Sequence, residues 1–141
     1  MAYIYDTYAH NCTVHTPYGT SYGSERMLAN SVAFLAAVPD RKLFAEDVIW
    51  TGDDEAGFIS SHLVISRGRN TGYSPWGPPT GKQVSYFAIA NCLVKENRIV
   101  EEWLVRDNAG LLEQMGYDLA VLAKQTVQAG ESQGFGETDR L

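Results

Sequence analysis

The apolar positions change their period near residue 42, and this change separates a predicted helix from a predicted sheet. Upstream of it, Leu28, Val32 and Leu35 recur at the spacing of one helix face. Ser24 precedes them and belongs to a residue type that caps helix N-termini, while Pro39 does not permit the helix to continue. We therefore predict a helix that begins near Ser24 and ends before Pro39.

Four strands are predicted downstream, because β-branched and aromatic residues concentrate in four segments. These segments cover 43–51, 58–67, 84–94 and 99–105. An acidic turn joins the first two, and a loop rich in Gly and Pro precedes the third. Asn97 suits the last turn because it tolerates left-handed backbone. The strands thus form a meander, preceded by a short helix over 2–10 and a brief strand over 12–16.

Two helices are predicted after the meander. Asp107 is placed to cap the first, which ends at Gly116, and the second covers about 119–129. Helices, then strands, then helices indicate an α+β fold in which a curved antiparallel sheet packs with helices. We expect a single domain over 1–129 and a flexible tail over 130–141, where three glycines and few apolar residues occur.

The segment 84–94 is mainly apolar on both of its faces. One face must pack on helices, and the other must line a cavity or meet a second subunit. Few helices are available to cover the sheet. We therefore expect a homodimer that uses the outer face of the sheet.

Charge and cysteine content narrow the classes of partner. Eleven basic and seventeen acidic side chains give a net charge of −6, and no basic cluster occurs. This makes nucleic acid and anionic membranes poor partners. The N-terminus lacks the basic and apolar regions of a signal peptide, which favours a cytoplasmic protein. Cys12 and Cys92 are far apart, so we predict free thiols and no zinc site.

Several short motifs point to one family. They are His-Thr-Pro-Tyr-Gly at 15–19, Val-Pro-Asp at 38–40, Glu-Asp-Val-Ile at 46–49, Pro-Pro-Thr-Gly-Lys at 78–82, and the segment from Asn97 through Trp103 to Gly116 with its Gln-Met-Gly ending. In this order, over about 8–117, they resemble the SnoaL-like polyketide cyclases of the nuclear transport factor 2 superfamily. The resemblance implies a cone-shaped, cystatin-like α+β barrel with a deep, mostly apolar pocket, and assembly into dimers.

The resemblance also implies an activity, from which this chain departs. Catalytic members close aromatic polyketide esters by an intramolecular aldol reaction, with a pocket acid/base and without metal or cofactor. The position of the family's catalytic Asp matches Leu104 here, and its His partner matches about Ala90. A further family His matches Asn70. Because Leu cannot transfer a proton, we do not expect the family mechanism itself.

Three other residues are candidates for acid/base chemistry. His62 interrupts an apolar strand and has the parity of Asn70, so it should point inward and could move a proton. The alternative is a buried His bonded to a strand neighbour. Tyr86 shares a face with small residues and could polarise a carbonyl, or it could simply pack in the core with its hydroxyl satisfied. Glu102 could be a buried base of raised pKa, a solvated edge residue, or the partner of Arg98 or Arg106 in an ion pair.

Five residues are candidates for contacts with a substrate. They are His15 at the barrel rim, Asn70, Trp76, Trp103 and Leu104. His15 could equally be a histidine of a surface loop, and each Trp could instead pack against neighbouring side chains without contacting a substrate. Two functions remain open: a cofactor-independent cyclase, isomerase or lyase acting on a small, partly apolar molecule, and a non-catalytic binding or dimerisation module that has lost the catalytic Asp. Convergent polar groups around a cavity would favour the first.

Overall fold

A computed structural model describes residues 2–133 as six strands and four helices. The helices are α1 (Ala2–Thr7), α2 (Ser24–Ala37), α3 (Asn108–Met115) and α4 (Leu119–Gln133). The strands are β1 (Tyr8–Thr16), β2 (Gly19–Tyr22), β3 (Lys42–Asp53), β4 (Gly57–Arg69), β5 (Gln83–Lys95) and β6 (Arg98–Arg106). The α+β class and the four-strand meander agree with the sequence prediction.

The sheet is mixed, because one parallel pairing joins the predicted antiparallel meander. Its order is β2-β1-β6-β5-β4-β3. The strands β3 to β6 form the antiparallel meander, whereas β1 pairs parallel to β6 and antiparallel to β2. β1 also begins directly after α1, so the first helix is shorter and the first strand longer than predicted. β2 was not predicted because its Gly-Thr-Ser-Tyr sequence has no run of apolar residues.

Helix α2 differs from the prediction in its cap and in its buried face. Gly23 is the N-cap residue, with φ 84°, and Ser24 is the first helical residue and caps nothing. The helix buries Phe34 and Ala37, while Val32 of the predicted stripe is 45% exposed. The reason is that this helix covers a cavity as well as the core. Several of the side chains that it turns toward the cavity are small or polar, so the spacing of its large apolar residues does not identify its inner face.

Both predicted ends of helix α3 are confirmed. Asp107 accepts a hydrogen bond from the backbone N–H of Gly110 at 2.9 Å, and Gly116 ends α3 in left-handed conformation, with φ 93°. In the tight turn before β6, Asn97 has φ 60°. Helix α4 continues to Gln133, into the segment predicted as a tail, and 134–141 lie outside the described residues. No helix over 2–133 is long and apolar enough to cross a membrane.

The core occupies one end of the inner face of the sheet, beneath α2 and α3. Its buried members are Phe34, Ala37, Val38, Val84, Tyr86, Leu111 and Met115, and Trp76 and Tyr117 pack against them. The rest of the inner face is therefore available to line a cavity.

The outer face of the sheet carries a band of exposed apolar side chains. They alternate with the inward-facing residues along the strands. The exposed members are Phe44, Ile49, Ile59, Phe87, Ile89, Trp103 and Val105, each at least 39% accessible. This is the face that the sequence assigns to a second subunit, and the homodimer itself stays a prediction.

Candidate functional site

A cavity of about 730 Å³ lies between the inner face of the sheet and the helices α2, α3 and α4. This volume is within the range of pockets that bind small organic molecules. The sheet contributes mainly small or aliphatic side chains to the wall: Val14, Val64, Ala88, Ala90 and Leu104. The two alanines are central, because Ala88 pairs with Val64, and Ala90 pairs with both His62 and Leu104. Methyl side chains in the middle of the sheet leave the space that larger residues would fill.

Tyr86 brings a free polar group to this cavity. Its side chain is 4% exposed, and its ring packs edge-on against Phe34 with the ring centroids 5.7 Å apart. Tyr86 is one of the residues of the cavity wall, and its buried hydroxyl finds no hydrogen-bond partner among the described residues. A buried hydroxyl without a partner costs about 1–3 kcal/mol. Tyr86 thus packs in the core as one sequence interpretation expected, but its hydroxyl is not satisfied by the protein.

Two arginines that were not among the candidates from the sequence, Arg41 and Arg106, line the same cavity. The guanidinium carbon of Arg106 lies 4.0 Å from the centroid of the Phe34 ring, and that of Arg41 lies 5.3 Å from it. Arg106 donates from Nε to Asn108 Oδ1 at 2.9 Å. Burial, with Arg41 nearby, lowers the pKa of Arg106. The parity of Arg106 with Leu104 was the available signal, because it places both side chains on the inner face.

Glu102 lies in a second polar cluster on the inner face. Its side chain is 4% exposed, and Oε2 accepts a hydrogen bond of 2.6 Å from the hydroxyl of Tyr8. The thiols of Cys12 and Cys92 are buried beside it, and burial raises the pKa of Cys92 to about 12. Burial also raises the pKa of Glu102, although the Tyr8 bond and the nearby His62 act in the opposite direction. Glu102 is therefore not the solvated edge residue of the alternative interpretation.

His62 lies on the inner face of the sheet, next to the cavity wall. It pairs across the sheet with Val48 and Ala90, and Ala90 lines the cavity. The imidazole is half-buried, and Nε2 is 2.9 Å from the hydroxyl of Ser60. It is also close enough to Glu102 to influence its pKa. His62 thus adjoins both the cavity and the Glu102 cluster, without being among the residues that enclose the cavity.

The residues predicted to contact a substrate divide into three groups. Trp76 and Leu104 line the cavity. Trp103 and His15 do not, because they lie on the outer face, where their rings stack with centroids 5.4 Å apart. His15 is also paired with Glu101, at 2.8 Å.

Asn70 has a structural position. It is fully buried, and its side-chain amide bonds within the protein at both ends. The expected pocket positions of Trp103, His15 and Asn70 are therefore corrected. For Trp103 the reason is strand alternation, since its neighbour Leu104 faces inward.

The raised pKa of Glu102 should appear as a pH dependence of stability. In the range between the ordinary carboxyl pKa and the raised one, the folded state keeps a proton that the unfolded chain releases. The unfolding free energy then falls as pH rises through this range, and the loss persists above it. Glu102→Gln cannot ionise and can still accept from Tyr8. We expect it to flatten this part of the curve and to exceed the parent in stability at high pH.

A paired variant tests the Tyr8 bond in the same urea titrations. Tyr8→Phe removes the donor to the buried carboxylate, which should cost about 2 kcal/mol where Glu102 is ionised and less where it is protonated. Parallel stability curves for the parent chain, Glu102→Gln and Tyr8→Phe would contradict this account of the cluster.

Comparisons with known proteins agree on the fold. A protein from Jannaschia sp. CCS1 named as a SnoaL-like polyketide cyclase superposes with a TM-score of 0.72 and 14% identity, covering 82% of this chain and 77% of that one. IdmH from Streptomyces antibioticus, named as a polyketide cyclase, superposes with a TM-score of 0.69 and 24% identity, covering 81% of this chain and 85% of that one. AclR from Streptomyces galilaeus, named as a hydroxylase, superposes with a TM-score of 0.66 and 19% identity, covering 77% of each chain.

These neighbours are not all named for the same reaction, and at such identities the likeness concerns the fold alone. A search of curated proteins finds no match. The sequence profile of the SnoaL-like polyketide cyclases, in contrast, matches residues 1–115, which is most of the chain. Together with the curved sheet and its enclosed cavity, this match shows that the chain belongs to the SnoaL-like polyketide cyclase family.

Proposed function

We propose that this domain binds a small, partly apolar carbonyl compound in its cavity and catalyses a cofactor-independent proton transfer on it, as in a ring closure or an isomerisation. The observation that carries the proposal is that Tyr86 belongs to the cavity wall and that its buried hydroxyl has no hydrogen-bond partner among the described residues. Most polar groups in a native interior are satisfied, so an unsatisfied hydroxyl on a residue of the cavity wall is a candidate hydrogen-bond donor to a ligand.

In this proposal, Tyr86 donates a hydrogen bond to the carbonyl oxygen of the substrate and stabilises the enolate that forms when a proton leaves the adjacent carbon. His62 is the base that accepts this proton, since imidazole changes its charge near neutral pH. Glu102, within electrostatic range of His62, stabilises the imidazolium. Leu104 contributes only hydrocarbon, so the route differs from the aldol mechanism of the catalytic family members.

A non-catalytic binding module is the second candidate, and one observation favours it. Leu104 and Ala90 line the cavity at the two positions where the family resemblance places the acid and its partner. A cavity of this kind can bind a ligand without transforming it. The two candidates differ in a measurable property, because only the first predicts exchange of a substrate proton with solvent.

The variant Tyr86→Phe tests the proposal without disturbing the fold. Since the hydroxyl has no partner in the described structure, removing it should leave the thermal stability unchanged or raise it. Proton–deuterium exchange at the carbon between the two carbonyl groups of ethyl benzoylacetate, followed by NMR, should slow by about 10- to 100-fold. Tyr117→Phe, whose hydroxyl bonds Pro78 outside the cavity, is the matched control.

Two outcomes would contradict the proposed catalytic activity. If the parent chain does not accelerate exchange but still binds the compound, the binding module replaces it. If Tyr86→Phe exchanges at the rate of the parent chain, Tyr86 does not act on the carbonyl.

We also propose that a second copy of the chain covers the outer face of the sheet. Seven exposed large apolar side chains on one face exceed what a monomeric surface commonly presents in one patch. Sedimentation equilibrium at micromolar concentration should give the mass of a dimer. Ile89→Lys, in the centre of the band, should shift the equilibrium toward the monomer, and a parent chain that sediments as a monomer would contradict the proposal.

A further inference from the structure

The charges that line the cavity all have one sign. Arg41 and Arg106 are its only ionisable residues other than Tyr18 and Tyr86, and no Asp or Glu is among the described residues of its wall. This is unexpected in a chain with a net charge of −6. A positive cavity in an acidic protein attracts anionic molecules and repels cationic ones.

The two guanidinium groups have no acidic partner within the described part of the chain. The one ion pair found over 2–133 joins His15 and Glu101 on the outer face. Arg106 uses Nε for Asn108, and a guanidinium carries further N–H donors beyond that one. Both arginines approach the Phe34 ring, so two like charges lie close together without a counterion. Their mutual repulsion contributes to the lowered pKa of Arg106.

Tyr86 lies beside the two arginines, and its single hydroxyl proton remains for the carbonyl of the substrate. Its ring packs on the same Phe34 side chain, and its unpartnered hydroxyl lies near enough to Arg106 for the two to interact electrostatically. A planar guanidinium matches the two oxygens of a carboxylate by paired hydrogen bonds, and it does so better than an ammonium group. A carboxylate between the arginines would remove their repulsion, and the aliphatic wall around Ala88, Ala90 and Leu104 would hold the apolar remainder of the molecule.

We propose that the ligand of this cavity is a carboxylate-bearing, otherwise apolar molecule whose carboxylate binds Arg106 and Arg41. The inference rests on the proposed function, since it uses the same cavity, and it adds the charge and the orientation of the ligand. The carboxylate lies at the Phe34 side, and the remainder of the molecule extends along the strands toward His62.

Two probes of similar size and opposite charge state test the proposal. They are anthraquinone-2-carboxylate and its neutral carboxamide, titrated calorimetrically into the unmodified protein. We expect the carboxylate to bind at least about 10-fold more tightly than the amide. Arg106→Met should weaken carboxylate binding by about 10- to 100-fold and change amide binding little, because the aliphatic stem is retained.

Arg67 provides a matched control. Its guanidinium carbon lies 5.3 Å from the centroid of Phe44, a similar cation–π contact, but it is not among the residues of the cavity wall. Arg67→Met should therefore bind both probes as the parent chain does. If Arg106→Met does not fold, Arg41→Met and the comparison of the two probes on the parent chain still decide the question.

The outcomes separate this inference from the proposed function. Equal affinity for the carboxylate and the amide overturns the inference and leaves the apolar ligand site in place. A preference for the carboxylate that survives both Arg106→Met and Arg41→Met also overturns it. If neither probe binds at millimolar concentration, the cavity does not accept such molecules, and both proposals fail.

Discussion

His62→Gln should lower the rate of proton–deuterium exchange on ethyl benzoylacetate by about 10²- to 10⁴-fold, the usual contribution of a positioned acid or base. Glutamine is similar in size and can keep a hydrogen bond to Ser60, but it cannot accept a proton near neutral pH. Since Ala90 and Leu104, rather than His62, enclose the cavity, the variant should bind anthraquinone-2-carboxylate with nearly unchanged affinity. A loss of rate without a loss of binding is what a general base predicts.

His10→Gln is the matched control for this experiment. His10 is exposed on β1, apart from the cavity wall, and its replacement should leave both exchange and binding unchanged. A rate in His62→Gln that equals the parent rate would remove His62 from the mechanism. If both rate and affinity fell together, His62 would instead have a structural role at the cavity wall.

Asn70→Ala should lower the unfolding free energy by about 3–5 kcal/mol, because one buried side chain joins three segments. Its Nδ2 donates to the carbonyls of Ala37 at 2.8 Å and Gly72 at 3.0 Å. Its Oδ1 accepts from the backbone N–H of Thr80 at 2.8 Å and from its hydroxyl at 3.0 Å. Alanine would leave these partners unsatisfied inside the protein and would open a small cavity as well.

Urea denaturation at fixed protein concentration measures this effect. Asn91→Ala, at an exposed position of strand β5, should change the unfolding free energy by less than about 0.5 kcal/mol. Thr80→Val removes one of the four bonds and should cost about 1 kcal/mol. If Asn70→Ala lost less than about 1 kcal/mol of unfolding free energy, water or a local rearrangement would have to replace the hydrogen bonds of the amide. The expected result assigns the position to stability, although the family resemblance matches it to a histidine.

The sequence by itself determined those features that depend on neighbouring residues. The concentration of β-branched and aromatic residues in four segments predicted the meander, because strand propensity and the alternation of side chains along a strand are local properties. Asp107, Gly116 and Asn97 marked the ends of α3 and the last turn, because each adopts a backbone or capping role that few residue types accept. The same alternation put Tyr86, Ala88 and Ala90 on one face, where the structure has the cavity wall.

Only the tertiary structure decided the features that join distant segments. No local sequence pattern predicts the parallel pairing of β1 with β6. This pairing brings the Tyr8 hydroxyl to Glu102. From strand alternation alone, Glu102 could equally have been a solvated edge residue. Arg41 and Arg106 meet only because α2 packs Phe34 against the sheet. The burial of a side chain and the identity of its hydrogen-bond partners depend on contacts between residues far apart in the sequence, so the periodicity of the sequence does not predict them.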